Sequence, residues 1–157
     1  MERAYLAASL AMEVSPKSIA DVGCGDQKLP IALRKAGWSG RYRGFDLHPQ
    51  DPEISALDAA HELLPESYDA IIALGLIEYI PILDFFGRCR LRCSHLIVSH
   101  VTSSQPQNRY SRSDLERLGW LNHVAAETIE VNLRLAGFRI SRSVETSEKK
   151  TLIWLAS

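Results

Sequence analysis

Short apolar runs alternate with helical segments along most of the chain, and Gly, Pro or Asp residues separate them. Runs rich in apolar or β-branched residues predict strands near residues 19–22, 42–45, 54–57, 70–74 and 96–101. Helices are expected between them at residues 29–36, which Gly37 ends, and at residues 82–92. Because this alternation is typical of parallel strands joined by crossover helices, the sequence predicts an α/β sheet.

The C-terminal part of the chain follows a different pattern. After a predicted helix at residues 125–136, the apolar segments 138–144 and 151–155 flank the polar run 145–150. Two strands joined by so short a link pair antiparallel, because a parallel return needs a crossover of about a dozen residues or more. We therefore expect the parallel strands to be followed by an antiparallel hairpin.

The composition of the 157-residue chain suits a single globular domain, with 46% hydrophobic and 24% charged residues. Residues 1–13 predict an amphipathic helix without the uncharged core of a signal peptide, and no apolar run is long enough for a membrane span. With 18 Lys+Arg against 19 Asp+Glu, the net charge is −1. The absence of a global basic field argues against nucleic acid as a partner. We expect a monomer or homodimer.

Three cysteines bear on the compartment and on metal binding. Cys24, Cys89 and Cys93 form neither an even disulfide framework nor a four-ligand zinc set. Cys89 and Cys93 fall at i and i+4 on one predicted helix face, which is typical of small buried side chains. The sequence therefore indicates a reducing, cytoplasmic compartment and no metal.

A glycine loop, Asp21-Val22-Gly23-Cys24-Gly25-Asp26, joins the first predicted strand to a helix. Glycines there allow a sharp turn and close approach of a ligand, although an ordinary tight turn has the same pattern. Asp46 ends the next predicted strand, about 20 residues further on, where a carboxylate can accept both hydroxyls of a ribose. Its alternative role is that of a helix N-cap or turn residue.

Two nucleoside ligands suit this geometry, a nicotinamide dinucleotide and S-adenosylmethionine. The dinucleotide loop has a third glycine where this chain has Lys28, and its helix faces a pyrophosphate. Asp21 and Asp26 would repel a pyrophosphate but complement the ammonium and sulfonium groups of S-adenosylmethionine. The acidic residues therefore favour S-adenosylmethionine as the cofactor.

From about Lys17 to the C-terminus, the chain resembles the class I S-adenosylmethionine-dependent methyltransferases. The resemblance rests on the glycine loop, the ribose acid Asp46, the adenine-side acid Asp58 in Leu57-Asp58-Ala59, and the strand-four segment 68–79. It implies a Rossmann-like, mostly parallel seven-stranded sheet with helices on both faces and an antiparallel last strand. The cofactor contacts that it implies are Asp21, Gly23, Cys24, Gly25, Asp26, Asp46, Leu47, Asp58, Ala59, Leu74 and Gly75.

Two positions depart from the family pattern. Gln27 stands where many members have a third glycine, which affects the geometry of the loop at the methionine end. Tyr79 stands where many have a histidine, which removes one possible base.

The acceptor is expected at the carboxyl ends of the strands, around residues 75–79, 100–102 and the loop that follows. His100 and His123 are candidate bases, and each has a structural alternative: His100 as a hydrogen-bonded strand end, His123 as part of a helix cap. The segment around residues 109–123 also resembles one that compact bacterial methyltransferases place over the acceptor. Candidate substrate contacts are Glu78, Tyr79, Arg109, Tyr110, Trp120 and Asn122.

The leading functional hypothesis is a methyltransferase for a small-molecule acceptor, with residues 17–80 forming the cofactor half and residues 81–157 the acceptor half of one domain. A catalytically silent S-adenosylmethionine-binding partner or sensor is the second hypothesis, because no base is obvious. RNA methylation is a third, and a dehydrogenase a fourth. Near-neutral charge argues against the RNA hypothesis.

Overall fold

A computed structural model describes residues 1–104, 108–147 and 150–157 of the chain. Residues 105–107, in the loop that follows residues 100–102, and residues 148–149, in the polar run of the predicted hairpin, lie outside the described residues. In chain order the elements are α1 (Glu2–Val14), β1 (Ser18–Val22), α2 (Lys28–Lys35), β2 (Arg41–Asp46), β3 (Ser55–Ala56), β4 (Tyr68–Leu74), α3 (Ile82–Arg90), β5 (Cys93–His100), α4 (Arg112–Leu118), α5 (Ala126–Leu135), β6 (Ile140–Glu145) and β7 (Leu152–Ala156).

The strands form one seven-stranded sheet in the order β3-β2-β1-β4-β5-β7-β6. The pairs among β1 to β5 are parallel, whereas β7 runs antiparallel to both β5 and β6. The predicted α/β sheet with an antiparallel C-terminal hairpin is therefore confirmed. The last strand lies between β5 and β6, so the hairpin extends the sheet.

Apolar clusters cover both faces of the sheet. The central strands β1 and β4 are buried over most of their length, as expected for parallel strands covered on two sides. On one face, α1 and α2 pack in a cluster that includes Ala7, Leu33 and Ile97. On the other, α3 and α5 pack in a cluster that includes Phe86 and Trp154.

Helix α4 is an element that the sequence patterns did not predict. The helix begins with a capping box, in which Ser111 Oγ accepts the Asp114 N–H (3.2 Å) and Asp114 Oδ2 accepts the Ser111 N–H (3.1 Å). Within the described part of the chain, no helix combines the length and apolar content that crossing a bilayer requires.

Candidate functional site

Two adjoining clefts open at the carboxyl ends of β1, β2 and β4, and Gly23 lines both. The first cleft, of about 480 Å³, is lined by Met1, Arg3, Ala4, Asp21, Gly23, Cys24, Gly25, Asp26, Lys28, Leu29 and Leu74. The second, of about 510 Å³, is lined by Gly23, Asp46, Leu47, His48, Leu57, Asp58, Ala59, Ala60, Leu76, Tyr79 and Ile80. Every predicted cofactor contact except Gly75 lines one of the two clefts.

The glycine loop crosses the end of β2 in close contact with it. Gly23 has a φ of +73°, and a Cβ there would lie 3.1 Å from Leu76 Cδ1. The N–H groups of Gly23 and Cys24 donate to the Phe45 carbonyl at 2.8 and 3.1 Å. The Cys24 side chain is buried, with its Sγ 3.1 Å from where a Cβ on Gly44 would lie. The positive φ therefore favours glycine at position 23, and a side chain there would also require Leu76 to shift.

The second half of the loop turns towards Asp46. Gly25 has a φ of +46°, and its N–H donates to Asp46 Oδ2 at 3.0 Å. Gln27, which stands where many class I methyltransferases have a third glycine, adopts a left-handed conformation with φ 53° and ψ 39°. A non-glycine residue thus keeps the backbone geometry that glycine normally supplies, at some cost in strain.

Asp21 places a carboxylate on the wall of the first cleft although the side chain is buried. Burial raises the pKa of Asp21 from its ordinary 3.8 to about 7. The Tyr42 hydroxyl, which donates to Oδ2 at 2.7 Å, opposes this shift, and the nearby Asp46 charge adds to it. A cation bound in the cleft would stabilise the ionised carboxylate.

Arg3 brings a positive charge from α1 to the same cleft. A Cβ on Gly75 would lie 2.7 Å from Arg3 Nη1, so the glycine leaves room for the guanidinium beside the backbone after β4. Lys28, which pairs with Asp26, supplies a second cation. Arg3 was not among the predicted site residues, because nothing in the local sequence shows that α1 packs beside these strand ends. The first cleft therefore carries charges of both signs.

Two carboxylates line the second cleft among apolar side chains. Asp46 Oδ1 accepts the His48 N–H at 3.0 Å, while Oδ2 holds the glycine loop. Asp58 Oδ1 accepts the Ala60 N–H at 3.0 Å, and Oδ2 lies 2.9 Å from His61 Nδ1, a hydrogen bond that lowers the pKa of Asp58. The apolar part of the lining comprises Leu47, Leu57, Ala59, Ala60, Leu76 and Ile80.

Glu78 and His100 form a buried pair, with exposed fractions of 1% and 0%. Glu78 Oε1 accepts the Val101 N–H at 3.0 Å and lies 3.3 Å from His100 Nδ1. His100 Nε2 accepts the Val124 N–H at 3.3 Å. Neither residue lines a cleft. His100 therefore has the environment of a hydrogen-bonded strand end. Its role as a base stays a prediction.

Asn122 ties the segment before α5 to the loop after β4. Its side-chain amide donates to the carbonyls of Ile77 and Ile80, both at 2.7 Å. The N–H groups of Leu121 and Asn122 donate to the Glu78 carbonyl at 2.7 and 3.0 Å. Both amide hydrogens are thus engaged within the protein, and substrate binding by Asn122 stays a prediction.

Tyr79, Tyr110, Trp120 and His123, all predicted acceptor-side residues, come together in one aromatic cluster. Trp120 Nε1 donates to the Tyr79 hydroxyl at 3.0 Å, and the Tyr110 ring meets the Trp120 and His123 rings edge to face, with centroids 5.3 and 5.2 Å apart. Because Tyr79 also lines the second cleft, the aromatic cluster adjoins it. Arg109, next to Tyr110, is exposed, and its substrate contact stays a prediction.

His123 differs from His100 in its chemistry. Burial, followed by repulsion from His100, holds the pKa of His123 below its ordinary 6.5, and a hydrogen bond to the Asn108 backbone opposes this shift. Its Nε2 is buried and has no hydrogen-bond partner among the described residues. The Asn108 bond therefore uses Nδ1, and Nε2 is a free acceptor on a neutral ring.

The sheet order, with clefts at the carboxyl ends of the parallel strands, defines a Rossmann-like fold. No protein-family model matches the chain, and no curated protein matches its sequence. Among solved structures, it is similar to a magnesium protoporphyrin IX methyltransferase from Synechocystis PCC 6803 with bound SAH (TM-score 0.68, 20% identity, 96% of this chain and 79% of that one).

It is also similar to an S-adenosylmethionine-dependent methyltransferase from Mesorhizobium loti (TM-score 0.72, 18% identity, 96% of this chain and 95% of that one). For human N-acetylserotonin methyltransferase in complex with SAM, the TM-score is 0.71 at 14% identity, over 98% of this chain and 51% of that one. The chain thus spans about half the length of some of its structural matches. It has the class I S-adenosylmethionine-dependent methyltransferase fold.

Proposed function

We propose that this chain binds S-adenosylmethionine across the two clefts and transfers its methyl group to a small-molecule acceptor. The observation that carries the proposal is that a cleft with charges of both signs meets, at Gly23, a cleft with two carboxylates and apolar walls. S-adenosylmethionine is a zwitterionic amino acid joined to a nucleoside through a sulfonium. Its two ends match the chemistry of the two clefts.

The amino-acid end suits the first cleft. Asp21 pairs with the ligand ammonium, which relieves the cost of a buried carboxylate whose pKa is about 7. Arg3 pairs with the ligand carboxylate, for which a guanidinium offers two parallel donors. A dinucleotide pyrophosphate has no ammonium for Asp21, and Asp26 repels it.

The nucleoside end suits the second cleft. Asp46 accepts hydrogen bonds from the ribose hydroxyls, since each of its oxygens has a lone pair beyond the one used for Gly25 or His48. Asp58 accepts from the adenine amino group, and the apolar lining covers the ring faces. The solved methyltransferases of this fold with SAH or SAM bound support this assignment.

Bound S-adenosylmethionine supplies a methyl group activated by the sulfonium, so the main task of the protein is to align the acceptor. We assign residues 17–80, together with Arg3 of α1, to holding the cofactor, and residues 81–157 to presenting the acceptor within one domain. In this assignment Gly75 leaves room for Arg3, and Tyr79 links the two halves.

Isothermal titration of S-adenosylmethionine and of NAD tests the binding step. We expect wild-type protein to bind S-adenosylmethionine and not NAD, and Asp46→Ala to weaken binding roughly tenfold or more. Asp84→Ala removes an exposed carboxylate that lines neither cleft, and should bind as wild type. Binding of NAD alone, or equal affinities for wild type and Asp46→Ala, would contradict the assignment.

Methyl-labelled S-adenosylmethionine tests the transfer step. Incubation with a fractionated metabolite extract should move label into a small-molecule fraction. Confirmed binding without transfer to any fraction would instead favour the silent binding protein or sensor, and label in RNA would overturn the small-molecule acceptor.

A further inference from the structure

A tyrosine that lies outside both clefts contacts the carboxylate that we assign to the ligand ammonium. The Tyr42 hydroxyl donates to Asp21 Oδ2 at 2.7 Å, although Tyr42 lines neither cleft. Among the described residues, no second group hydrogen-bonds to the Asp21 carboxylate. Because Tyr42 engages Oδ2, the other oxygen of Asp21 is available to a ligand in the first cleft.

The pairing of β1 with β2 explains how this contact forms. In the parallel register, Tyr42 pairs with Ile19, which lies two residues before Asp21 in β1. Since alternate residues of a strand point to the same face of a sheet, Tyr42 and Asp21 share one face. The Tyr42 ring packs against the apolar cluster of α1 and α2 on that face. Packing therefore holds the ring, and the hydroxyl at its end reaches the carboxylate.

Resting on the proposed function, we propose that Tyr42 is a positioning residue for the cofactor, which acts by holding Asp21 ionised and directed towards the ligand ammonium. The second strand thereby sets the pH range over which the first cleft binds its ligand.

The hydrogen bond from Tyr42 offsets part of the cost of burying the Asp21 carboxylate. Burial raises the pKa of Asp21 to about 7, and the bond from Tyr42 opposes that rise. Burial, followed by the Asp21 charge, raises the pKa of Tyr42 above its ordinary 10.0, so the hydroxyl keeps its proton at neutral pH. Without this donor, Asp21 would take up a proton at a higher pH, and the neutral acid has no charge for an ammonium.

The other titratable and charged groups around Asp21 do not substitute for Tyr42. Asp46, at the end of β2, raises the pKa of Asp21 further. Burial, followed by the charges of Asp21 and Asp46, raises the pKa of the Cys24 thiol to about 12, so the thiol is neutral. Four more charged groups belong to residues that line the first cleft, and within the described residues none of them hydrogen-bonds to Asp21. They are Arg3, Asp26, Lys28 and the amino group of Met1.

Titration calorimetry of SAH at pH 7 and pH 9 tests the inference with Tyr42→Phe, which keeps the ring and removes the hydroxyl. Loss of one hydrogen bond to the ionised carboxylate should raise the pKa of Asp21 from about 7 to about 8. The variant should therefore bind SAH roughly fivefold more weakly than wild type at pH 7 and about equally at pH 9, where Asp21 is ionised in both proteins. Because both proteins are compared at the same pH, titration of the ligand and of other groups cancels.

Two further readouts separate this role from a purely structural one. Adenosine lacks the ammonium, so it should bind wild type and Tyr42→Phe equally at either pH. In the absence of ligand, the NMR resonance of the Asp21 carboxyl carbon, assigned with Asp21→Asn, should titrate about one pH unit higher in Tyr42→Phe than in wild type.

Tyr68→Phe is the matched control. Tyr68 is buried, its hydroxyl donates to the Glu66 carboxylate at 2.9 Å, and it lines neither cleft. This variant loses the same kind of hydrogen bond at a distance from the first cleft, so it should bind SAH as wild type does at both pH values.

The outcomes distinguish the inference from the proposed function. Failure of wild-type protein to bind SAH at both pH values overturns the proposed function. Normal binding by wild type, with equal SAH affinities of wild type and Tyr42→Phe at pH 7 or with the same loss at pH 9 as at pH 7, overturns the inference alone. An unchanged titration of the Asp21 carboxyl carbon, or an equal loss of adenosine and SAH binding in Tyr42→Phe, overturns it as well.

Discussion

At the scale of single residues, the proposed pairing of the buried Asp21 carboxylate with the ligand ammonium predicts that cofactor binding depends on pH. The pKa of about 7 that Asp21 has without ligand means that a proton competes with the ligand ammonium below neutrality. We expect S-adenosylmethionine affinity to fall roughly tenfold from pH 7.5 to pH 6, and Asp21→Asn to bind weakly with little dependence on pH over that range. Calorimetry at the two pH values measures this effect. An equally steep dependence in Asp21→Asn would contradict it.

The same carboxylate affects stability in the absence of ligand. The pKa of Asp21 is raised from 3.8 to about 7 in the folded state, so protonation of Asp21 stabilises the folded protein. This contribution to the free energy of unfolding is complete below pH 3.8 and is lost as the pH rises to 7. Relative to Asp21→Asn, wild-type protein should lose about 1.4 kcal/mol of unfolding free energy per pH unit across that interval. Urea unfolding at several pH values gives the difference, and a constant difference would refute the prediction.

Gln27 provides a test of backbone strain. A left-handed conformation costs a residue with a Cβ about 1–2 kcal/mol in the folded state. A glycine avoids this strain, but its greater conformational freedom in the unfolded state cancels roughly half of the gain. Gln27→Gly should therefore stabilise the protein by about 0.5–1 kcal/mol in urea unfolding, whereas Gln27→Ala should not. A less stable Gln27→Gly protein would show that the Gln27 side chain has a role of its own.

At the scale of elements, the apolar runs were sufficient to predict β1, β4 and β5, because central parallel strands are buried on both faces. Helix α4 lacked such a signal, because it is short and none of its residues is buried. Only Ser111 and Asp114 mark its start. The capping-box pattern of Ser111 and Asp114 would have predicted the start of this helix even without a buried face.

Ser111→Ala tests whether that capping box holds α4. Loss of the cap should cost about 1 kcal/mol locally and raise amide exchange in residues 112–118, because the first-turn N–H groups lose their acceptor. S-adenosylmethionine affinity should stay unchanged, since α4 lines neither cleft. Hydrogen exchange with and without ligand measures both effects. Unaltered exchange in α4 would show that other contacts hold the helix.

At the scale of the whole molecule, most residues that line the two clefts were predictable, because the carboxyl ends of parallel strands meet at one edge of the sheet. Asp21, Asp46 and Asp58 each lie at or just beyond the carboxyl end of a strand, and so they converge there. The contribution of Arg3 depends on how α1 packs over the sheet, and the burial of His100 depends on β7 pairing beside it. Such long-range packing is not encoded in any local pattern.

The central claim is that one ligand spans both clefts, and titration of ligand fragments against two variants tests it directly. Arg3→Ala should weaken SAH roughly tenfold and leave adenosine unaffected, because adenosine lacks the amino-acid end. Asp46→Ala should weaken both ligands, because both carry the ribose. Equal losses of adenosine and SAH in Arg3→Ala, or unchanged SAH binding in both variants, would contradict the account.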